Sequence, residues 1–308
     1  MILETQKTDE MPYRIPLNFV GNGKAIKAYG GSLEAWSFID IDPLDWFSNF
    51  QSKALASIGR VFFPIYRMAD GEFRFLMGRF FNRNKKPIIK EVASYLLDKS
   101  GIRNQDKWST SWGESYDPAL KKNLTEKYIS DIYEISKSGM LALYINNNGL
   151  NAFTEYNSSV VSFLRSKGIE LNSSNYIPFH FPCELLTGNY RSFFYRDRNL
   201  LVLTGLNAKK EFRIKNTLEE LGAKSVQFIG ISSNKSMQDK IDLTSINMPV
   251  DVCLVAAGIG ASNIINQLKN LNTLCIDIGG LVGCFETPSK SIHGGTFSIG
   301  NIIKYSDV

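Results

Sequence analysis

A chain of 308 residues, 44% hydrophobic and 21% charged, can bury a large core, either as one big α/β domain or as two small ones. Its 35 basic and 30 acidic residues leave a net charge of +5, too evenly spread for the concentrated basic stripe of a nucleic-acid binder, though suited to a phosphate-rich substrate or an anionic membrane face. The N-terminal MILETQKTDEMPYR has no apolar signal-peptide core and no apolar run reaches spanning length, so a cytoplasmic protein is expected, with peripheral contact at the inner face of a membrane still open.

Residues 1 to 14 are polar and expected to be ill-ordered, and the following IPLNFVGNGKAIKAYGGSLEAWSF mixes apolar residues with glycine without a clear period. Residues 1–40 therefore stand as an N-terminal extension of unassigned structure, ahead of a single domain over 41–308. Asp42-Pro43 opens an amphipathic helix as N-cap and first position, with Leu44, Phe47, Phe50, Leu55 and Ile58 turned inward. Strand-like residues from Val61 to Tyr66 then stop at Asp70-Gly71-Glu72, after which Phe73, Phe75, Leu76 and Met77 take a more helical spacing. Arg79, Arg83, Lys85 and Lys86 surround Phe80 and Phe81, and Ile88 to Leu97 reads as a helix. The basic cluster is either a solvated helix end or a patch that attracts diphosphate or a membrane-borne acceptor. In the polar stretch 103–117, Trp108, Trp112 and Tyr116 either stack on sugar or anchor a long loop.

Asp117-Pro118 starts a second long helix with Leu120, Leu124, Tyr128, Ile132 and Ile135 at helical spacing, followed by a buried strand over Met140 to Asn146, an Asn-Gly turn, and a helix over 152–167. An aromatic, proline-punctuated stretch containing His180, Glu184, Arg191, Arg196 and Arg198 gives a strand, a short helix and a loop. Strands and helices then alternate regularly from LLVLTG to TLCIDIGG. That alternation means a Rossmann-like, mostly parallel sheet with helices on both faces. None of the four cysteines, Cys183, Cys253, Cys275 and Cys284, forms a C-x-x-C spacing, so neither disulfides nor zinc are expected.

Two stretches carry chemistry. The D-G-E acids fall at a strand's carboxyl end, the edge where open α/β sheets bind ligands. If residues 70–72 stay extended, Asp70 and Glu72 point the same way, and Gly71 lets a ligand approach the backbone. Two hard oxygen donors with open positions left over suit Mn²⁺ or Mg²⁺ shared with a diphosphate. Asp-Gly is also an ordinary turn dipeptide, and an acid in a first helical turn is favoured by the helix dipole. The second stretch, Ala256-Ala257-Gly258-Ile259-Gly260-Ala261-Ser262, joins a buried strand to a helix, so its small residues and free N–H groups would favour an anion. Asn263 stands where the dinucleotide fingerprint needs glycine or alanine, which lowers a nicotinamide reading. Asp277, ending the next strand, faces the same edge.

Arg67-Met68-Ala69-Asp70-Gly71-Glu72 resembles the R-x-x-D-G-E signature of the GT-D-fold glycosyltransferases, and residues 251–280 resemble that family's closing strand, Gly-containing loop, helix and D-I-G strand. Gly280 stands where the family has histidine. The resemblance implies a metal-dependent hexosyltransferase acting on a nucleotide-diphosphate sugar, a hexose linked to uridine diphosphate (UDP), and a glycan acceptor on a protein or lipid carrier in surface polysaccharide or glycoprotein biosynthesis. It implies Asp70 and Glu72 as metal ligands, with Arg67, Gly71, Gly258, Gly260, Ala261, Ser262 and Asp277 at the donor. An inverting reaction would also need a base, with Asp277, Glu114, Glu184 and His180 as candidates. Two other classes stay open: an S-adenosylmethionine-dependent methyltransferase using the 258–262 loop, and a non-catalytic nucleotide-binding subunit of a glycan-assembly complex.

Overall fold

The computed structural model describes residues 13–17, 34–77, 118–143, 158–188 and 191–286. The expected helix at 88–97, the basic cluster at 79–86, the aromatic stretch 103–117 and the Asn-Gly turn at 146–149 all lie outside those residues.

The organising element is a seven-stranded sheet in the order β5-β4-β3-β9-β8-β6-β7. Its strands are β3 (Phe63–Met68), β4 (Met140–Leu143), β5 (Tyr176–Pro178), β6 (Asn199–Thr204), β7 (Ser225–Gly230), β8 (Val252–Ala256) and β9 (Leu274–Asp277). Every pairing between them is parallel. Parallel strands covered on both faces carry unbroken apolar runs, and β4, β6, β8 and β9 are buried along nearly their whole lengths.

Side chains leave alternate faces of a strand, and β3 shows both layers. Tyr66 meets Tyr128 of α3 (Pro118–Ser138) on one side. Its neighbour Arg67 reaches Cys183 of α5 (His180–Thr187) on the other. The Tyr66 face also packs α8 (Ala261–Gln267) against α3, where the Asn266 amide donates to the Asp131 carbonyl at 3.1 Å. On the Arg67 face, α1 (Pro43–Ser57) delivers Trp46, Phe47 and Phe50 around the Phe181 ring, with centroid separations of 5.2, 5.3 and 5.8 Å. The sheet's other half carries α7 (Ala208–Glu220) and α9 (Val282–Glu286), joined where Lys210 and Arg213 meet Glu286. Two shorter helices are α4 (Ser158–Ser166) and α6 (Arg191–Tyr195).

Asp42 caps α1 as expected, accepting from the Leu44 N–H at 2.8 Å and the Asp45 N–H at 3.3 Å. Its buried stripe is Trp46, Phe47, Phe50 and Ala54, while Leu44 is 56% exposed. The inward stripe therefore starts two residues later than the sequence spacing predicts, because Trp46 has an aromatic nest to enter and Leu44 sits on the first turn facing water. The N-terminal region is structured at two points. Strands β1 (Tyr13–Pro16) and β2 (Glu34–Ser37) pair antiparallel. They dock on the sheet's outer strand through the Tyr176 hydroxyl, which donates to the Trp36 carbonyl at 2.9 Å, and through an edge-on Phe38–Tyr176 contact at 5.8 Å.

Phe181 is fully buried between three rings of α1. Phe181→Ala is expected to cost about 3–5 kcal/mol, the range for truncating a buried aromatic, read as a fall in urea midpoint without a change in slope.

Candidate functional site

The carboxyl ends of β3, β9 and β8 lie side by side, and the chain turns sharply at each. After β3 it enters α2 (Asp70–Met77) directly. The Glu72 carboxylate folds back to accept the Ala69 N–H at 2.9 Å, and the Phe73 N–H donates to the Ala69 carbonyl at 3.2 Å. Glu72 thus acts as the third-position acid of a helix start, satisfying a donor that the helix leaves open. This corrects the extended-strand expectation: at about 100° per residue, Asp70 and Glu72 stand well apart around a helix axis, not on one alternating face. The Asp70 side chain lies outside the described atoms. Gly71 is exposed, and a Cβ built there meets nothing within 4 Å.

After β9 the chain passes through Ile278 into a tight turn at Gly279–Leu281. Asp277, 4% exposed, accepts the Arg67 N–H at 3.3 Å and the Gly279 N–H at 2.9 Å. The Arg67 guanidinium, itself buried, donates to the Ile278 carbonyl at 3.1 Å and to Cys183 Sγ at 3.3 Å, and lies 4.8 Å from the centre of the Phe179 ring. Gly279 has φ +41, and a Cβ there would fall 2.8 Å from Arg67 Nη2. Glycine is required by both the backbone and the arginine.

After β8 the chain turns through Gly258–Gly260 into α8. Gly258 adopts φ +53 and is exposed. Gly260 is different: a Cβ there would sit 2.2 Å from Ser236 Oγ and 2.5 Å from the Ser236 carbonyl carbon. The Ser236 hydroxyl donates to the Ala257 carbonyl at 2.7 Å, and the Asn263 amide donates to the Ser236 carbonyl at 2.8 Å. Ala261 and Ser262 are buried. The small residues of this loop therefore admit a neighbouring protein segment at Gly260, Ala261 and Ser262, and leave only Gly258 and part of Ile259 at the surface.

Electrostatics follow from burial. Desolvation pushes the Asp277 carboxyl up from 3.8 to about 7, with the Arg67 charge opposing the rise and the Glu72 charge adding to it. His180 is pushed down to about 3 by burial and by Arg67, so its imidazole is neutral and a weak base at physiological pH. Burial raises the Cys183 thiol, with Arg67 opposing. Glu184 is buried at the end of α5, where a Cβ on Gly188 would strike its carboxylate. Glu114 lies outside the described residues. Asp277, one of the base candidates, bonds directly to the D-G-E strand.

Sequence reasoning missed the Tyr66–Tyr128 hydroxyl pair, 2.8 Å apart at this edge. In a sequence, such tyrosines look like ordinary core aromatics. It also missed Cys183 and the Ile278 carbonyl as partners of Arg67. No group of three or more metal-ligating side chains occurs among the described residues. No helix among them is long and apolar enough to cross a membrane.

No family model matches the chain, and no curated protein matches it. Among solved structures, the chain is similar to one described as the selenomethionine-substituted structure of domain of unknown function 1792, with TM-score 0.44 and 14% identity over 82% of this chain and 87% of that chain. It is also similar to one described as "the highly conserved domain of unknown function 1792 has a distinct glycosyltransferase fold", with TM-score 0.43 and 15% identity over the same shares.

Two outcomes follow from this geometry. Gly260→Ala is expected to destabilise the fold by about 1–3 kcal/mol through overpacking, whereas Gly71→Ala is expected to stabilise it by about 0.5–1 kcal/mol, since open space awaits the methyl group; thermal unfolding distinguishes them. The second concerns pH. A carboxyl whose folded pKa lies above its unfolded value binds more protons when folded, so its contribution is complete below about pH 4 and declines as pH rises towards 7. Urea midpoints between pH 4 and 8 should show that decline in the wild type and a shallower one in Asp277→Asn.

Proposed function

We propose that the chain is a metal-dependent glycosyltransferase that moves a hexose from a nucleotide-diphosphate sugar, with UDP as the nucleotide to test first, to a glycan acceptor. One observation carries this reading. The two stretches that separately resemble the GT-D signature lie some 210 residues apart in sequence, yet they bond to each other through the signature arginine: the Arg67 N–H to Asp277, and its guanidinium to Ile278. The convergence falls at the carboxyl edge of a parallel sheet, where ligands of such folds bind.

We assign Mn²⁺ or Mg²⁺ to the D-G-E acids; since Asp70 and Glu72 stand well apart around α2 and Glu72 is turned to the Ala69 N–H, one of the two carboxylates at a time would face the cation in this conformation. Carboxylate oxygens are the donors these hard cations take, and Mg²⁺ sites commonly use one or two carboxylates and complete the shell with water and substrate phosphate. The cation would neutralise charge on the departing diphosphate. Gly71 and Gly258 offer exposed backbone to the donor. Arg67, buried and committed to Ile278 and Cys183, serves in this proposal to hold the end of β9, and Gly260, Ala261 and Ser262 serve to seat the turn. Asp277 is assigned to the acceptor or ribose hydroxyl, and its pKa of about 7 suits proton transfer at neutral pH. The methyltransferase alternative needs the 258–262 loop open along its length, and Ser236 fills it at Gly260. A cytoplasmic setting with glycan assembly at a membrane face belongs to the same proposal.

The test is calorimetric titration of UDP with Mn²⁺ or with chelator, on the wild type and on Asp70→Ala. Binding is expected only with metal, and weaker in the variant by about tenfold or more, equal to at least 1.4 kcal/mol. Equal binding in chelator would overturn the metal assignment, and no binding under any condition would overturn the UDP assignment.

A further inference from the structure

We propose that the Tyr66–Tyr128 hydroxyl pair is a positioning device that ties the Gly258–Gly260 turn to the D-G-E helix, so that two segments distant in sequence form one donor-binding edge. The inference rests on the nucleotide-sugar reading above and adds residues to it.

Both rings are fully buried, and a hydroxyl taken from water must find a partner. The two oxygens are 2.8 Å apart, which places one proton between them. The other proton still needs an acceptor. Among the described residues it is the Ile259 carbonyl, 3.4 Å from the Tyr66 oxygen. Ile259 is the middle residue of the turn after β8, next to exposed Gly258 with its left-handed backbone. The orientation of that peptide therefore decides whether the buried pair is satisfied.

The opposite end of the device reaches α2. Phe75 packs edge-on against Tyr128 with ring centres 5.9 Å apart, one helical turn beyond Glu72. Tyr66 belongs to β3 itself, one residue before Arg67. A rigid aromatic core thus links the strand, the helix carrying Asp70 and Glu72, and the glycine turn. At 3.4 Å, the contact with Ile259 is longer than the ~2.7–2.8 Å optimum for a hydroxyl bond. A donor held at Gly258 has room to draw the turn onto Tyr66 and shorten it, as catalytic-site hydrogen bonds commonly tighten on ligand binding.

The test uses Tyr66→Phe, which keeps the ring and removes the hydroxyl that donates to Ile259, with Tyr128→Phe, which leaves that bond in place, as the control. In Tyr66→Phe, hydrogen exchange of the ligand-free protein, followed by mass spectrometry, is expected to quicken about five- to tenfold relative to wild type and control in peptides covering 257–261, the size of one lost buried hydrogen bond, while peptides covering β8 and β9 keep wild-type rates. In calorimetry with Mn²⁺, UDP affinity is expected to fall about tenfold on the same account. Unchanged exchange at 257–261, or an equal rise throughout β8 and β9, would overturn the positioning role even if UDP binds normally. Failure of the wild type to bind UDP would overturn the nucleotide reading and the donor role with it. Local loosening alone would then still support the tie between turn and helix.

Discussion

Arg67 is a cation placed beneath the ends of three strands, and the rest of the edge is arranged to make that tolerable. A buried guanidinium without partners is far more costly than any single contact it makes. Here it meets a carbonyl, a thiol and an aromatic face, with the Asp277 carboxyl beside its own backbone N–H. Those partners come from α5, from the residue before it and from the end of β9. Gly279 is held to glycine by its left-handed backbone, φ +41, and the guanidinium lies in the space a side chain would enter. The arginine therefore fixes the distance between β3 and β9 where they open to solvent, and the D-G-E turn follows from β3 three residues later.

That constraint sorts the glycines by role. Gly260 and Gly279 are required by contacts within the protein, to Ser236 and to Arg67. Gly258 is required by its backbone conformation. Gly71 has none of these reasons: its φ is unexceptional, its surroundings are empty, and it weakens the helix that it begins. Gly71 is thus a glycine for which, among the described residues, the fold shows no requirement.

The fold was legible because its signals are local or periodic. Asp42-Pro43 announced a cap, the spacing from Leu120 to Ile135 announced α3, and unbroken apolar runs separated by helices announced a parallel sheet. Signals that depend on remote partners were not legible. The β1–β2 pair is held by Tyr176, 140 residues from the carbonyl it bonds, and nothing near Tyr13 or Trp36 marks a strand. Gly260 looked like a ligand cradle because Ser236, which fills it, lies in a polar segment without a period. The D-G-E geometry hung on whether α2 began at once, and that depended on Glu72 turning back to Ala69. Sequence placed the acids at the right edge and mistook their local conformation. Of the site, its motif residues were readable, while their buried supports, Tyr66, Tyr128 and Cys183, have the appearance of ordinary core.

The charges at this edge favour a cation over a bare anion. Arg67 contributes one positive charge, but it is buried and bonded to protein atoms, so it screens little of what lies above it. Glu72 and Asp70 contribute carboxylates in the first turn of α2, and Asp277 a third that keeps its proton up to about pH 7 because Glu72 and desolvation resist its ionisation. A diphosphate entering alone would meet carboxylates of its own sign, a penalty that the short helix termini nearby offset by a fraction of a kcal/mol to about 1 kcal/mol each. A divalent cation bound as proposed would turn both repulsions into attractions. Such a cation, if bound as proposed, would stabilise the ionised form of nearby carboxylates, Asp277 among them. In the function proposed above, this carboxyl, about half ionised at neutral pH, would be able to accept a hydroxyl proton.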